Sequence, residues 1–437
     1  MTTMQHTARR RALEDLQPES RMSAATRRLR VAVFVSEFPA LSETFVLRQI
    51  VGLIDRGHEV TVFADRPRAE PLTHPDFERY GLRDRTRYLG MPRNRVRRAI
   101  AAAGALFSRT DRRAMLARTV NPFRHGRDAV NLRMLYWVLR LADEAPFDVL
   151  HCHFGPVGEM VATLRDLGAV RGRLATTFHG ADLTSYLKSD PDRYRRLARS
   201  GDLFLPISDY MAGRLRTLGC PADRIAVLRM GVDLGRFAER LREMPARGPL
   251  RLVTIGRLID KKGVADALRA VAMARQNGIN LAYTIIGDGP LREPLERLAG
   301  ELGIADIVEF RGWQVHDAII EALYEHHALL APSITAPDGD QEGIPVTLME
   351  AMATGMPVVS TRHSGIPELV ENGVSGLLAE EGDHVALAAA LEQLALEPAL
   401  VRSMGAAARR QVAAGYDAEA LDDELDLRLR ELHARAA

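Results

Sequence analysis

From Leu29 onward the chain alternates between two hydrophobic periods. Leu-Arg-Val-Ala-Val-Phe-Val is a β-branched run that reads as a buried strand. Phe45, Val46, Gln49, Ile50, Leu53 and Ile54 then recur at mostly helical spacing, with Ser42 placed as N-cap and Gly57 as the stop. A strand at 59–64 completes a βαβ unit. Strand-like runs return at 147–151, 174–178 and 203–207, with helical stretches between them. A second series starts at Leu250, with runs at 252–255, 283–286, 307–310, 328–331, 358–360 and 376–379. Strands separated by helices of about 10–15 residues imply parallel sheets covered on both faces.

A single parallel sheet of a dozen strands is improbably wide, and a seam exists. Residues 229–248 hold Gly231, Gly235, Pro245 and Gly248 among many charges, without a strand pattern. The fold class is therefore α/β, with two doubly wound domains. Residues 1–28 are expected to be a disordered leader, 29–230 a first domain, 231–248 a linker and 249–415 a second domain. Residues 416–437 form a charged amphipathic helix that either returns to the first domain or lies on the second. Ligands in such sheets bind beyond the carboxyl ends of the strands, here in a cleft between facing domains.

Composition narrows the class without naming it. The 437 residues are 46% hydrophobic and 27% charged, which excludes a disordered, fibrous or disulfide-built protein. Two cysteines, Cys152 and Cys220, set no disulfide framework, so the cytoplasm is the expected compartment. No run reaches the roughly 18 apolar residues a membrane span needs, and the first thirty residues carry no apolar signal core. The net charge of +2 conceals an asymmetry. Residues 79–133 hold 15 arginines against Asp84, Asp111 and Asp128, so the remainder of the chain is acidic. Val96, Ala99, Ile100, Leu106, Phe107, Met115 and Leu116 are interspersed with these arginines, a pattern that suits an interfacial helix pair on an anionic inner leaflet. A solvated arginine-rich surface is the competing reading. Nucleic acid is not the expected partner, because regularly interleaved aromatics are missing.

Three glycine-bearing segments carry the chemistry. Gly256-Arg257-Leu258-Ile259-Asp260-Lys261-Lys262-Gly263 follows a strand and opens a helix. Its glycines allow close backbone approach, and Arg257 and Lys262 add fixed cations at a helix start, so a diphosphate is the natural ligand. The order of a P-loop is absent. Gly287-Asp288-Gly289-Pro290 also ends a strand, but Arg292 stands where a dinucleotide fingerprint needs its third glycine, so a tight turn is expected there. In the third segment Glu342 lies just before a helix that takes Pro345 in its first turn, bears Glu350 and stops at Gly355. Glu350 has apolar neighbours on nearly every face, so it needs local donors or a polar ligand. Two carboxylates eight positions apart across a helix start can grip different hydroxyls of a sugar nucleotide.

Glu342 and Glu350, set within Glu-Gly-Ile-Pro-Val-Thr-Leu-Met-Glu-Ala-Met-Ala, resemble the signature of the family 4 retaining glycosyltransferases, which have the GT-B architecture of two Rossmann-like domains. Gly256-Arg257 with Lys262-Gly263 is similar to that family's diphosphate clamp, Phe178-His179-Gly180-Ala181-Asp182 to its acceptor-domain histidine loop, and Met230-Gly231-Val232-Asp233 with Phe237 to its connector. Glu37-Phe38-Pro39-Ala40-Leu41-Ser42-Glu43 and Gly339-Asp340-Gln341 look most like bacterial exopolysaccharide enzymes, colanic acid glycosyltransferases included. The resemblance implies a nucleoside-diphosphate sugar donor and a glycan or lipid-linked glycan acceptor, with no metal or other cofactor. It implies that Arg257 and Lys262 hold the diphosphate and that Glu350 accepts from the ribose. Glu342, with Gly343, Ile344 and Pro345, would orient the sugar, Gly256 would bring backbone to the donor, His179 would lie near the transferring group, and the base would lie near Arg311-Gly312-Trp313.

Many members of that family carry a glycine-rich loop after the first strand. Here the loop reads Ser36-Glu37-Phe38-Pro39-Ala40-Leu41-Ser42, which suits acceptor recognition instead. His151-Cys152-His153 puts two histidines on one strand face, but no third ligand accompanies them, so a core strand is expected. Two alternatives stay open: a nucleotide-sugar 2-epimerase of the same architecture and a catalytically idle sugar-nucleotide-binding partner subunit.

Overall fold

The computed structural model describes residues 27–40, 44–68, 75–92, 94–108, 113–119, 121, 130–244 and 248–435. Ser42, residues 1–26 of the expected leader, Leu41 and Glu43 of the loop motif, Pro245 and several arginines of the basic segment lie outside them. The chain folds as two compact units. Of the described residues, the first unit takes those up to Thr177, 194–204 and those from Asp422 onward; the second takes 178–193 and 205–421. Loop 178–182 counts with the second unit because it packs on residues 341–343: a Cβ added to Gly180 would lie 3.3 Å from the Gly343 amide nitrogen.

The first sheet is built from β1 (Arg30–Glu37), β2 (Glu59–Arg66), β3 (Thr86–Tyr88), β4 (Val149–His153), β5 (Arg173–Phe178) and β6 (Leu203–Pro206), in the order β3-β2-β1-β4-β5-β6. Its β1–β2, β2–β3, β1–β4 and β4–β5 pairs are parallel. β3 is a three-residue edge strand inside the arginine-rich segment, too short and too polar for the hydrophobic pattern to reveal. The β4 run begins two residues later than the sequence pattern suggests, so His151, Cys152 and His153 are all strand residues with fully buried side chains. His151 Nε2 meets Thr177 Oγ1 at 2.9 Å, and burial lowers its pKa to about 4, so the ring is neutral. Among the described residues no cluster of His, Cys, Asp and Glu is arranged to hold a metal.

The core of this unit is aromatic. Phe34 stacks on Phe63 at 5.0 Å, and Trp137 meets Phe34 edge-on at 6.1 Å. Trp137 is fully buried, and its indole N–H donates to Asp65 Oδ1 at 3.0 Å, so the one polar atom of the ring is satisfied. Outside this core runs the helix Arg95–Ser108. Val96 and Ile100, four apart on one face, are each 67% exposed. Arg95 and Arg97 beside them are exposed as well, whereas Arg98 turns inward and donates to the carbonyls of Pro92 (2.9 Å) and Asn131 (3.1 Å).

The second sheet comprises β7 (Leu250–Ile255), β8 (Leu281–Ile286), β9 (Val308–Gly312), β10 (Ala328–Ala331), β11 (Val358–Thr361) and β12 (Gly376–Ala379), in the order β12-β11-β10-β7-β8-β9, all pairs parallel. Alternate residues feed opposite cores. Leu252, Tyr283, Ile285 and Leu330 join one cluster, while Val253, Ile255, Ile286 and Leu329 join the other. The order in which strands are added reverses between β7 and β10, which is where a doubly wound sheet opens a crevice at its carboxyl edge. No single helix among the described residues is long and apolar enough to cross a membrane. The bent pair His384–Leu396 and Pro398–Gly415 passes on length and composition together, but Leu387, Leu391, Leu394 and Val412 from it are buried in the core of the unit.

Candidate functional site at the carboxyl edge of the second sheet

Three strand ends meet backbone to backbone at the β7/β10 crevice. The Gly256 amide donates to the Ile286 carbonyl at 2.9 Å. A Cβ on Gly287 would come within 1.9 Å of the Gly256 oxygen, and one on Gly263 within 1.8 Å of the Pro332 oxygen. No side chain fits at either place, which explains glycine at both. The Gly287-Asp288-Gly289 turn braces the neighbouring loop, since Leu258 donates to the Asp288 carbonyl at 2.9 Å. It is a supporting turn, as its missing third glycine suggests.

A shallow depression opens here, lined by Gly256, Arg257, Lys262, Ser333, Pro345 and Thr347 among others. Arg257 is exposed, and its side chain has no ion-pair or hydrogen-bond partner among the described residues. Lys262 closes a 3-10 turn (Asp260–Lys262), after which Gly263 in the left-handed conformation (φ +63°) starts the helix Val264–Gln276. Lys262 Nζ lies 3.2 Å from Glu342 Oε1, so the structure brings the cation and the first of the two glutamates together. Burial by itself would raise the Glu342 pKa, but Lys262 and Lys261 outweigh it and hold the carboxyl below its usual range.

Sequence spacing did not identify the groups around Glu342. Lys261 Nζ sits 3.5 Å from Glu342 Oε1 and 3.0 Å from Asp340 Oδ2. Burial pulls the Lys261 pKa down, but the two carboxylates raise it more. The Glu342 amide donates to His363 Nε2 at 3.0 Å, and His363 is fully buried after β11. Because Nε2 accepts, the ring proton resides on Nδ1, which reaches Glu381 Oε1 at 2.6 Å. Glu381 also accepts the Thr335 amide at 2.7 Å. The only local signal for His363 is its position just beyond a strand end, since it is 21 residues from Glu342.

Pro345 sits at the N-cap of the helix Val346–Ala353, not inside its first turn, and its carbonyl accepts from Leu348 at 3.1 Å. Ile344 is buried, and Gly343 abuts loop 178–182, with an added Cβ reaching the His179 carbonyl oxygen at 2.9 Å. The His179 and Gly180 amides donate to Asp182 Oδ1 at 3.1 and 2.9 Å, which fixes the loop. Glu350 lies about 6 Å along the axis of that helix from its first residue. Leu348, Met349, Ala351, Met352 and Ala353 around it are fully buried. No hydrogen-bond donor reaches its carboxylate among the described residues; His316 Nε2 is the near neighbour, at 3.9 Å. Burial pushes the Glu350 carboxyl up to about 7, with Arg236 offsetting it in part.

The arrangement combines a glycine-lined strand end, an unpaired arginine, a lysine shared with a carboxylate, and a second carboxylate lacking donors. Comparison with known proteins gives the family. Residues 42–236 match the family described as Glycosyltransferase Family 4, and residues 239–411 the family described as Glycosyl transferases group 1. The chain is 41% identical over 401 residues to a Salmonella typhimurium protein described as a colanic acid biosynthesis glycosyltransferase, WcaL, covering 91% of this chain and 98% of that one. It is 39% identical over 389 residues to the amylovoran biosynthesis glycosyltransferase AmsK of Erwinia amylovora, covering 88% and 95%. In fold it is similar to the crystal structure of Anabaena HepE in complex with UDP-glucose, with a TM-score of 0.68 at 16% identity, over 92% of this chain and all of that one. The chain belongs to the family 4 glycosyltransferases and has their GT-B fold, two Rossmann-like parallel-sheet domains.

Proposed function

We propose that this glycosyltransferase moves a sugar from a nucleoside-diphosphate donor to a hydroxyl of a glycan or lipid-linked glycan, with retention at the anomeric carbon, in the assembly of a bacterial exopolysaccharide. The observation that carries the reading is the joint placement of Arg257, Lys262 and Glu342 at the carboxyl edge of the second sheet. Arg257 and Lys262 hold the diphosphate and stabilise the charge that develops as it leaves. The N-terminus of the helix Val264–Gln276 adds a favourable dipole, so the cations meet the phosphate charge without a metal. Glu350 accepts from the ribose hydroxyls, which supplies the donors its buried carboxylate lacks. Glu342 and the backbone of 343–345 orient the sugar, and His179 lies near the transferring group. Trp313, 63% exposed beside the end of β9, offers a face for the base. The exopolysaccharide assignment follows from the named roles of the two 40%-range relatives.

The test is a panel of nucleotide sugars assayed for conversion of the donor and for released nucleoside diphosphate, with and without acceptor and with and without a chelator. One donor turned over only with acceptor, chelator present, is the expected result. Turnover without acceptor and without diphosphate release points to an epimerase, and none with any donor to an idle binder. Arg257→Ala or Lys262→Ala should lower kcat about 100-fold or more; wild-type turnover at saturating donor and acceptor overturns the clamp.

The exposed Val96–Ile100 face with its flanking arginines further supports docking on an anionic bilayer, where a lipid-linked acceptor resides. Flotation with anionic liposomes should weaken as salt rises and fall for Ile100→Asp. Flotation indifferent to anionic lipid and to salt refutes the docking.

A further inference from the structure

Two lysines converge on one carboxylate oxygen. Lys262 Nζ lies 3.2 Å from Glu342 Oε1 and Lys261 Nζ 3.5 Å from the same atom, while Lys261 also reaches Asp340 Oδ2 at 3.0 Å. The Glu342 side chain is only 11% exposed. A carboxylate so buried needs a counter-charge throughout, because an uncompensated buried ion is costly. Yet Lys262 is the lysine that faces the ligand: it lines the depression with Arg257, and Lys261 does not. A lysine drawn toward phosphate oxygens gives up part of its hold on Glu342. Without a second cation, Glu342 would keep Lys262 for itself and compete with the ligand.

We propose that Lys261 is a positioning residue that carries the charge of Glu342 and thereby releases Lys262 to the diphosphate, an inference that rests on the assignment of Lys262 to that group. Three features fit Lys261 to the task. Asp340 anchors its ammonium from a second side at 3.0 Å. Its carbonyl accepts from the Ile334 amide at 3.0 Å, which fixes the backbone from which the side chain departs. Its side chain is 17% exposed, so water screens the pair only in part. Among the described residues, Lys261 and Lys262 are the cations within ion-pair distance of the Glu342 carboxylate. His363 serves the same residue through its amide, not its carboxylate.

The experiment is a double-mutant cycle on nucleoside diphosphate binding, read by calorimetry with UDP, GDP, ADP and dTDP and carried on with whichever binds wild type most tightly. A ligand without sugar keeps the contact of Glu342 with the sugar out of the measurement. Lys261→Met should weaken binding about tenfold or more, since Glu342 then retains Lys262. Glu342→Gln should bind at least as tightly as wild type, because it frees Lys262. The double variant should regain the affinity of Glu342→Gln, and Lys261→Arg should stay near wild type. Thermal melts accompany each variant, and Lys261→Gln should repeat the pattern should the methionine variant fold poorly. Wild-type affinity in both Lys261→Met and Lys261→Gln overturns the proposal. So does a double variant as weak as Lys261→Met, which would mean that Lys261 touches the phosphates itself. A wild-type protein that binds none of the four diphosphates overturns the assignment of Lys262 and this inference with it.

Discussion

Glu350 is the residue whose protonation the fold sets most directly. Burial pushes its carboxyl from the ordinary 4.5 to about 7, and no donor relieves it among the described residues. Ribose hydroxyls would favour the ionised form, so ligand binding and proton loss are coupled. Donor affinity should therefore fall as pH drops below about 7, approaching tenfold per unit, and calorimetry between pH 5.5 and 8 measures it. In Glu350→Gln the slope should disappear and affinity should be low throughout; an unchanged slope removes Glu350 from the ribose site. The stability of the ligand-free protein gives an independent check. The folded pKa exceeds the unfolded one, so the contribution of Glu350 is fully present below about 4.5 and is lost as pH rises through about 7. Glu350→Gln should be near neutral at pH 4.5 and stabilising at pH 8, by roughly 2–3 kcal/mol.

At the scale of elements, what the sequence revealed follows from locality. The parallel strands were legible because each is a short apolar run between turn residues, and β7 to β12 all lie within or beside the expected runs. β3 was not, because Thr86-Arg87-Tyr88 pairs only along the β2 edge and needs no hydrophobic run. Arg257, Lys262, Glu342 and Glu350 were legible from spacing around strand ends and a helix start. Lys261 stood in the same motif but gained its role only when Asp340 and Glu342 came against it. His363 and Glu381 join from beyond β11 and β12, through contacts that no local period encodes. Gly263 and Gly287 serve strand-end packing, since a Cβ would fall 1.8 and 1.9 Å from a backbone oxygen there. Gly263→Ala tests that, since its Cβ would fall 1.8 Å from a backbone oxygen at a positive φ. It should destabilise the second unit by about 2 kcal/mol or more and loosen the Lys262 turn, so that thermal stability and diphosphate affinity fall together. A stability change below about 0.5 kcal/mol contradicts the packing argument.

For the molecule as a whole, the C-terminal helix Ala418–Ala434 decides how the first unit is completed. Its residues from Asp422 on belong to that unit, although the unit's first sheet starts almost 400 positions earlier. Leu425, Leu429 and Leu432 are buried, and Gly52 leaves room for Asp422, whose Cγ would lie 2.7 Å from a Cβ there. His58, which caps the Leu29 amide through Nδ1, meets Asp426 at 2.5 Å, and Arg56 pairs with Asp423. Three buried leucines at about 1.5–3 kcal/mol each approach the whole stability of an ordinary domain, before the ion pairs are counted. The partly buried pairs cannot substitute for them, because removing one partner leaves the other charge without compensation. Burial also pushes Asp422 up to about 6, so that residue by itself opposes folding above that pH and cannot be what holds the helix in place. The buried leucines therefore hold the helix more firmly than its charges do. Truncation after residue 421 should leave the first unit unprotected in hydrogen exchange, with β1 and β2 losing protection together, while β7 and β8 of the second unit exchange as before. Leu425→Ala with Leu429→Ala should show the same ordering in milder form. Equal loss of protection in both sheets would mean that the helix stabilises the molecule as one cooperative body, and full protection of β1 that its leucines contribute nothing to the core they enter.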